Sequence, residues 1–239
     1  MSSKTLREAR TKAGWTQERL ARNLCVTQAY LSFMENGQRP VPDYVARKVV
    51  HLFKLSPMEL PLSVPEKRTT NDLLARELAR LGYPGFSYLR KKPGRMRNPT
   101  SLLLGALAMG DLDSRLVEAL PWLLLRFEGF SVETLVGMAK ARDLQNRLGF
   151  AVTLALEVAA RNPLYADREP ELRHLQTVLD PSRLVNEVTF GRGETSNRMR
   201  AWVKENRSDA ANHWNVLTDL KAEHLPYANR DSRTLDRLP

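Results

Sequence analysis

The chain has 239 residues, of which 42% are hydrophobic and 27% charged, the composition of a folded globular protein rather than a disordered polyelectrolyte. Its length suits two small domains better than one. A single cysteine, Cys25, excludes an internal disulfide framework and a thiolate metal cluster and fits a reducing compartment. No run approaches the roughly eighteen apolar residues of a membrane-spanning helix, and the N-terminus leads into an amphipathic helix rather than a signal-peptide core, so a soluble, unprocessed, cytoplasmic chain is expected.

The formal charge of +10 is unevenly placed. Residues 1–60 hold ten Lys and Arg against five Asp and Glu, and residues 61–100 hold nine against three. Residues 101–239 hold eighteen against nineteen, so the whole surplus precedes residue 101. A basic part beside a neutral one points to a polyanion-binding half joined to a half with another task.

Lys4 to Ala13 reads as a first helix with Leu6, Ala9 and Ala13 on one face and Gly14 as its stop. The stretch TQERLARNLCVTQAYLSFME, Thr16 to Glu35, then reads as helix, tight turn, helix. Thr16 can cap the second helix, small Ala21 sits where two helices would cross, and Leu20, Leu24, Val26, Leu31 and Met34 take the inward positions. The third helix runs from Thr27 to Asn36 and opens on small or polar residues. Gln38 to Pro42 forms a loop, Asp43 to Phe53 a fourth helix with Val45, Val49 and Leu52 inward, and Ser56-Pro57 opens a final turn through Leu60.

The phrase TQERLA, the apolar spacing, Glu35 and the NGQRP loop make residues 6–60 resemble the helix-turn-helix domain of phage repressors, Cro proteins and the wider Xre family. The resemblance implies a lambda-repressor-like, five-helix DNA-binding domain, and an ion pair between Arg10 in helix one and Glu35 at the end of helix three. Breaking one partner of such a pair costs roughly 3–5 kcal/mol, because the other charge is stranded. Carried over position by position, Gln28 would read base edges, with Thr27, Ala29, Ser32 and Phe33 beside it, and Gln17, Asn36, Gln38 and Arg39 would contact phosphates. A glutamine can bind adenine bidentately, worth about 1–3 kcal/mol of discrimination. Tyr30 either covers the domain surface or touches DNA. Two positions depart from the family pattern. Cys25 stands where the turn usually has glycine, at a cost of about 1–2 kcal/mol if the backbone is left-handed. Phe33 stands where a long polar residue is usual.

Residues 61–70, PLSVPEKRTT, read as a linker. A helix from Asn71 to Leu81 precedes the stretch 83–99, an irregular basic loop with three aromatics, Tyr83, Phe86 and Tyr88. Its Lys91, Lys92 and Arg95 are expected to add phosphate contacts; the alternative is a solvated loop whose aromatics anchor it to the helical domain. Beyond Asn98 only helical patterns are evident. LLLGALAM after Pro99 is apolar on all sides, Asp111 or Asp113 caps the next helix, and Pro121 starts a new helix or kinks that one. Ser131 opens a long segment to Ala160, interrupted near Gly149; further helices start at Pro170, near Thr195 and at Ser208, with Trp202 and Trp214 as core anchors. The polar group Arg142, Asp143, Gln145, Asn146 and Arg147 is either a partner-binding surface or the wet face of an amphipathic helix whose Leu144 and Leu148 point inward.

The chain is therefore read as all-α: domain 1–60, linker 61–70, a multi-helix interaction or dimerisation domain 71–225 built as a bundle or a helical-repeat stack, and a loose tail 226–239. No enzyme signature is found. GRGE at 191–194 lacks a P-loop or Rossmann frame, and His51, His174, His213 and His224 show no metal spacing, so no catalytic residue, metal or cofactor is assigned. The expected function is sequence-specific regulation of transcription in a bacterium. The chain would bind a double-stranded DNA operator as a homodimer, since one small domain buries too little surface for tight specific binding. The two-part architecture resembles autorepressing antitoxins that hold a toxin through a second domain, and a regulator of a defence operon fits as well. The rival reading is an interaction adaptor that uses the helix-turn-helix fold for protein contacts.

Overall fold

A computed structural model describes residues 1–63, 69–91, 95–191 and 196–229. The chain divides into two compact units: Met1–Ser63 with Met96–Asn98, and Val64–Arg95 with Pro99–Pro239. Both are helical. Of the expected linker, residues 64–68 lie outside the described residues, as do Lys92, the RGE of GRGE and the tail from residue 230.

Unit 1 holds α1 (Ser3–Lys12), α2 (Gln17–Leu24), α3 (Gln28–Glu35) and α4 (Asp43–Phe53), closed by a 3-10 turn over Pro57–Glu59. Four of these five elements start on a Ser or Thr whose side chain accepts a backbone N–H: Ser2, Thr16, Thr27 and Ser56. Their inner faces meet in one core of Leu6, Leu20, Leu24, Leu31, Met34, Val45 and Val49, all almost fully buried. Trp15 packs edge-on against Phe53, with the Arg19 guanidinium 4.2 Å from its ring centroid. The Asn98 side chain donates to the Met58 and Leu60 carbonyls (2.8 Å each), and Met96 packs on the same core. The end of the expected basic loop is thus built into this unit.

Unit 2 contains α5 (Asn71–Leu81), α6 (Pro99–Leu107), α7 (Ser114–Arg126), α8 (Val132–Lys140), α9 (Gln145–Arg161), α10 (Glu169–Leu179), α11 (Asn197–Glu205) and α12 (Asp209–His213). Helix α9 is the axis of this unit, touched by α6, α7, α8, α10 and α12. Its Leu148, Phe150, Ala151, Val152, Leu154, Ala155 and Val158 are fully buried. Arg168 is buried and stops the end of α7, donating to the Leu124 and Phe127 carbonyls (3.2 and 2.5 Å) and to Glu171 (2.7 Å).

Unit 2 departs from its sequence pattern in several places. The break in the 131–160 segment falls at residues 141–144, where Asp143 takes a positive φ, and not at Gly149, which lies inside α9. A Cβ at Gly149 would sit 2.3 Å from the Trp214 ring, so glycine there is a seat for the indole and not a helix break. Trp214 is fully buried, but Trp202 is 49% exposed and is no core anchor. The helix expected from Ser208 to Leu220 ends at His213. Val216–Leu217 then forms β2, which pairs in parallel with β1, Val188–Thr189. The stretch 83–99 is not irregular throughout: Pro84–Leu89 is 3-10 helical, with Tyr83 and Phe86 buried and Tyr88 exposed. The tail is not loose at its start, because Tyr227 and Ala228 are buried and the Tyr227 hydroxyl donates to the Glu118 carbonyl (2.6 Å).

The polar group in 142–147 is not solvated throughout as its composition suggests. Gln145 and Asn146 are buried. Asn146 donates to the Leu184 carbonyl (2.9 Å) and accepts from the Leu184 N–H (2.8 Å). Arg147 donates to the carbonyls of Thr189 (2.8 Å) and Leu107 (2.7 Å). Asn146 and Arg147 satisfy backbone groups of segments that cross α9, which a buried chain crossing requires, and neither they nor buried Gln145 form a partner surface or a wet helix face. Arg142 is half-buried and Asp143 exposed, leaving no contiguous polar surface across the five.

Candidate nucleic-acid interface

The turn between α2 and α3 sets the geometry of the exposed face. Cys25 ends α2 in the left-handed region (φ 58°, ψ 46°), its N–H reaching back to the Ala21 and Arg22 carbonyls. The Val26 N–H bonds the Ala21 carbonyl (3.0 Å), and buried Ala21 lets the two helices approach closely. The departure from glycine therefore leaves the tight turn intact. Lys48 of α4 donates to the Leu24 carbonyl (3.1 Å), satisfying an acceptor at the C-terminus of α2.

Helix α3 presents Thr27, Gln28, Ala29 and Phe33 to solvent, with Ser32 half-buried beside them. Thr27 is committed to capping, since its hydroxyl accepts the Tyr30 N–H (3.2 Å). Tyr30 is half-buried and packs on the core. Beyond α3, Asn36, Gln38 and Arg39 are exposed, the Asn36 side chain lying 3.3 Å from Ser32 Oγ.

A hydrogen-bonded chain runs from inside the unit out to this face. Arg10 grips Glu35 with two parallel bonds, Nε to Oε1 (2.6 Å) and Nη2 to Oε2 (2.9 Å), and also donates to the Trp15 carbonyl (2.8 Å). Gln17 Nε2 donates to Glu35 Oε2 (2.9 Å), and Gln28 Nε2 donates to Gln17 Oε1 (2.7 Å). The order of donors follows from chemistry. An ionised Glu35 can only accept, so Gln17 must turn its NH2 inward and its oxygen outward, and that oxygen can only receive from the NH2 of Gln28. Burial alone would raise the Glu35 pKa. The hydrogen bonds from Arg10 and Gln17 and the Arg10 charge outweigh burial and hold it below the ordinary glutamate value.

The Gln17–Gln28 link on this face is not foreseen from the sequence. Its trace in the sequence is that both helices open with Thr-Gln, Thr16-Gln17 and Thr27-Gln28, placing a glutamine at the same position of each. The expected phosphate residues Lys91 and Arg95 are exposed and belong to unit 2, whereas Lys92 lies outside the described residues.

Residues 6–60, about a quarter of the chain, match a family model described as helix-turn-helix. This segment is a helix-turn-helix domain of the Xre/Cro/C1-like family. No curated protein and no solved structure matches the chain. At the level of the family, the helix-turn-helix domain supports DNA binding in the regulation of transcription. Among the described residues, no helix is long and apolar enough to cross a membrane.

Proposed function

We propose that the protein is a sequence-specific repressor whose α3 enters the major groove of an operator with Gln28 as its principal base reader. The observation that carries this reading is the Arg10–Glu35–Gln17–Gln28 chain. It spends one N–H of Gln28 on Gln17 and leaves the other N–H and the Oε1 free, the donor and acceptor pair that adenine N7 and N6 require. A reader pre-oriented in this way loses less side-chain entropy on binding than a free glutamine. Ala29 and Phe33 lie beside Gln28 as apolar partners for thymine methyl groups, and Ser32 completes the reading edge. Phosphates are held by the N-terminus of α2 with Gln17, and by Asn36, Gln38 and Arg39 after α3.

The protein works as a homodimer on two half-sites, in the cytoplasm and on the nucleoid when bound. Unit 2 supplies dimerisation, a protein partner, or both. Exposed apolar side chains such as Trp202, Met199 and Val185 support a contact role for it. As an autorepressing antitoxin the chain would hold a toxin there; as a defence-operon regulator it would hold another protein.

In vitro selection from a randomised duplex library, followed by mobility shifts over a range of salt, tests this function. An enriched, pseudo-palindromic site supports it, and a library that enriches no sequence contradicts it. Replacing Lys91, Lys92 and Arg95 by Ala should lower the slope of log K against log salt by about 0.9 per lost phosphate contact; an unchanged slope removes these residues from the interface.

A further inference from the structure

Unit 2 contains a cavity of about 200 Å3 whose walls are the rings of Tyr83, Pro84, Pro226 and Tyr227, with Arg115 and Glu118 of α7 at its edge. It is smaller than most cofactor pockets, about seven waters' worth at ~30 Å3 each, so an occupant has on the order of ten non-hydrogen atoms.

The two tyrosines are not equivalent. Tyr227, 1% exposed, gives its hydroxyl to the Glu118 carbonyl. Tyr83, 3% exposed and held edge-on against Trp122 (centroids 5.2 Å apart), lines the same cavity, yet its hydroxyl makes no hydrogen bond among the described residues. The ring is buried while the hydroxyl is left to line the cavity, where it can donate to or accept from a bound molecule. The charged pair at the edge is also uncommitted. Arg115, exposed, and Glu118, half-buried, are three residues apart on α7 but form no salt bridge, and neither side chain has a hydrogen-bond partner among the described residues. Burial, together with the Asp113 charge and against the nearby Arg115 charge, raises the Glu118 pKa.

We propose that this cavity binds a free α-amino acid with a compact apolar or aromatic side chain. The side chain lies between the proline and tyrosine rings, the ammonium group meets the Glu118 carboxylate and the Tyr83 hydroxyl, and the ligand carboxylate meets Arg115. A cation alone would face Arg115, and an anion alone would face Glu118. Only a ligand carrying both charges answers both groups.

Calorimetric titration of the full chain with L-phenylalanine and with L-leucine tests the site. 3-Phenylpropanoate and 2-phenylethylamine, each missing one charge, serve as probes of the two poles. The expected result is saturable binding of at least one amino acid and at least tenfold weaker binding of both analogues. Glu118→Gln should weaken the amino acid at least tenfold, and Tyr83→Phe several-fold, with the melting temperature of each ligand-free variant reporting that it folds. Absence of binding by both amino acids, equal binding of either analogue, or undiminished binding by Glu118→Gln would each overturn the proposal. None of these readouts depends on DNA.

Discussion

Gln28 and Gln17 lie on different helices and are joined by one hydrogen bond, Gln28 Nε2 to Gln17 Oε1 at 2.7 Å, which ties the exposed face of α3 through Gln17 to the Arg10–Glu35 ion pair. The bond turns a flexible side chain into an oriented one. Gln17→Ala removes the acceptor without touching the reader. It should lower discrimination at the base pair read by Gln28 by about 0.5–1.5 kcal/mol, the net worth of one such bond, while the site itself is still recognised. Binding to the selected operator and to single-base-pair variants checks this. Unchanged discrimination would show that Gln28 needs no support from α2.

Arg10 and Glu35 are the anchor of that chain, with side chains only 12% and 1% exposed. Arg10→Ala strands a buried carboxylate and should cost about 3–5 kcal/mol of unit 1 stability. The pH dependence follows from the lowered Glu35 pKa. A depressed folded-state value means that the stabilisation is present above the ordinary glutamate value of 4.5 and is lost as pH falls through the lower, folded value. Hydrogen exchange of the α1 and α3 amides should therefore accelerate below about pH 4.5 in the wild type, and Glu35→Gln should flatten that acid limb. An unaltered acid limb in Glu35→Gln would place the titrating group elsewhere.

Cys25 occupies a left-handed position with φ of 58°. Its side chain is exposed, so it contributes little packing to set against the backbone cost. Cys25→Gly should stabilise unit 1 by about 1 kcal/mol, the left-handed penalty of ~1–2 kcal/mol less the entropy that glycine brings to the unfolded chain. Chemical denaturation gives the sign directly, and a loss of stability would mean that the sulfur makes a contact worth more than the strain.

In an open helix, glycine to alanine gains about 1 kcal/mol. At Gly149 the sign should reverse. The added Cβ would meet Trp214 ring atoms at 2.3 Å, and the indole is fixed by a hydrogen bond from its Nε1 to Thr153 Oγ1 (2.8 Å). Gly149→Ala should destabilise unit 2 by about 1–3 kcal/mol and shift the Trp214 fluorescence. A neutral effect would mean that the indole moves aside at little cost.

Unit 1 was legible in the sequence because its determinants are local. Thr16 and Thr27 announce their helices, and Leu20, Leu24, Leu31 and Met34 repeat at helical spacing. Unit 2 was legible as helical but not in its detail, because the residues that decide the detail act at long range. Asn146 looks solvated until its partner at Leu184 is known, and Gly149 looks like a break until Trp214 is seen above it. The two-residue strands at Val188 and Val216 are too short to show alternation. Tyr227 reads as part of a polar tail, yet its hydroxyl is satisfied by Glu118, far back in the chain. At the interface, the identities of the exposed residues could be read from the helix phase. The order of donors between Gln28, Gln17 and Glu35 required the helices to be placed side by side.

Base reading by Gln28 can be measured by comparing wild type and Gln28→Ala on the selected operator, on the operator changed at each A·T pair in turn, and on non-specific duplex at one fixed salt concentration. Wild type should lose about 1–3 kcal/mol at one A·T pair in each half-site, and Gln28→Ala should be indifferent to that pair while keeping its non-specific affinity. A Gln28→Ala variant that still discriminates at every pair as the wild type does would contradict base reading by Gln28.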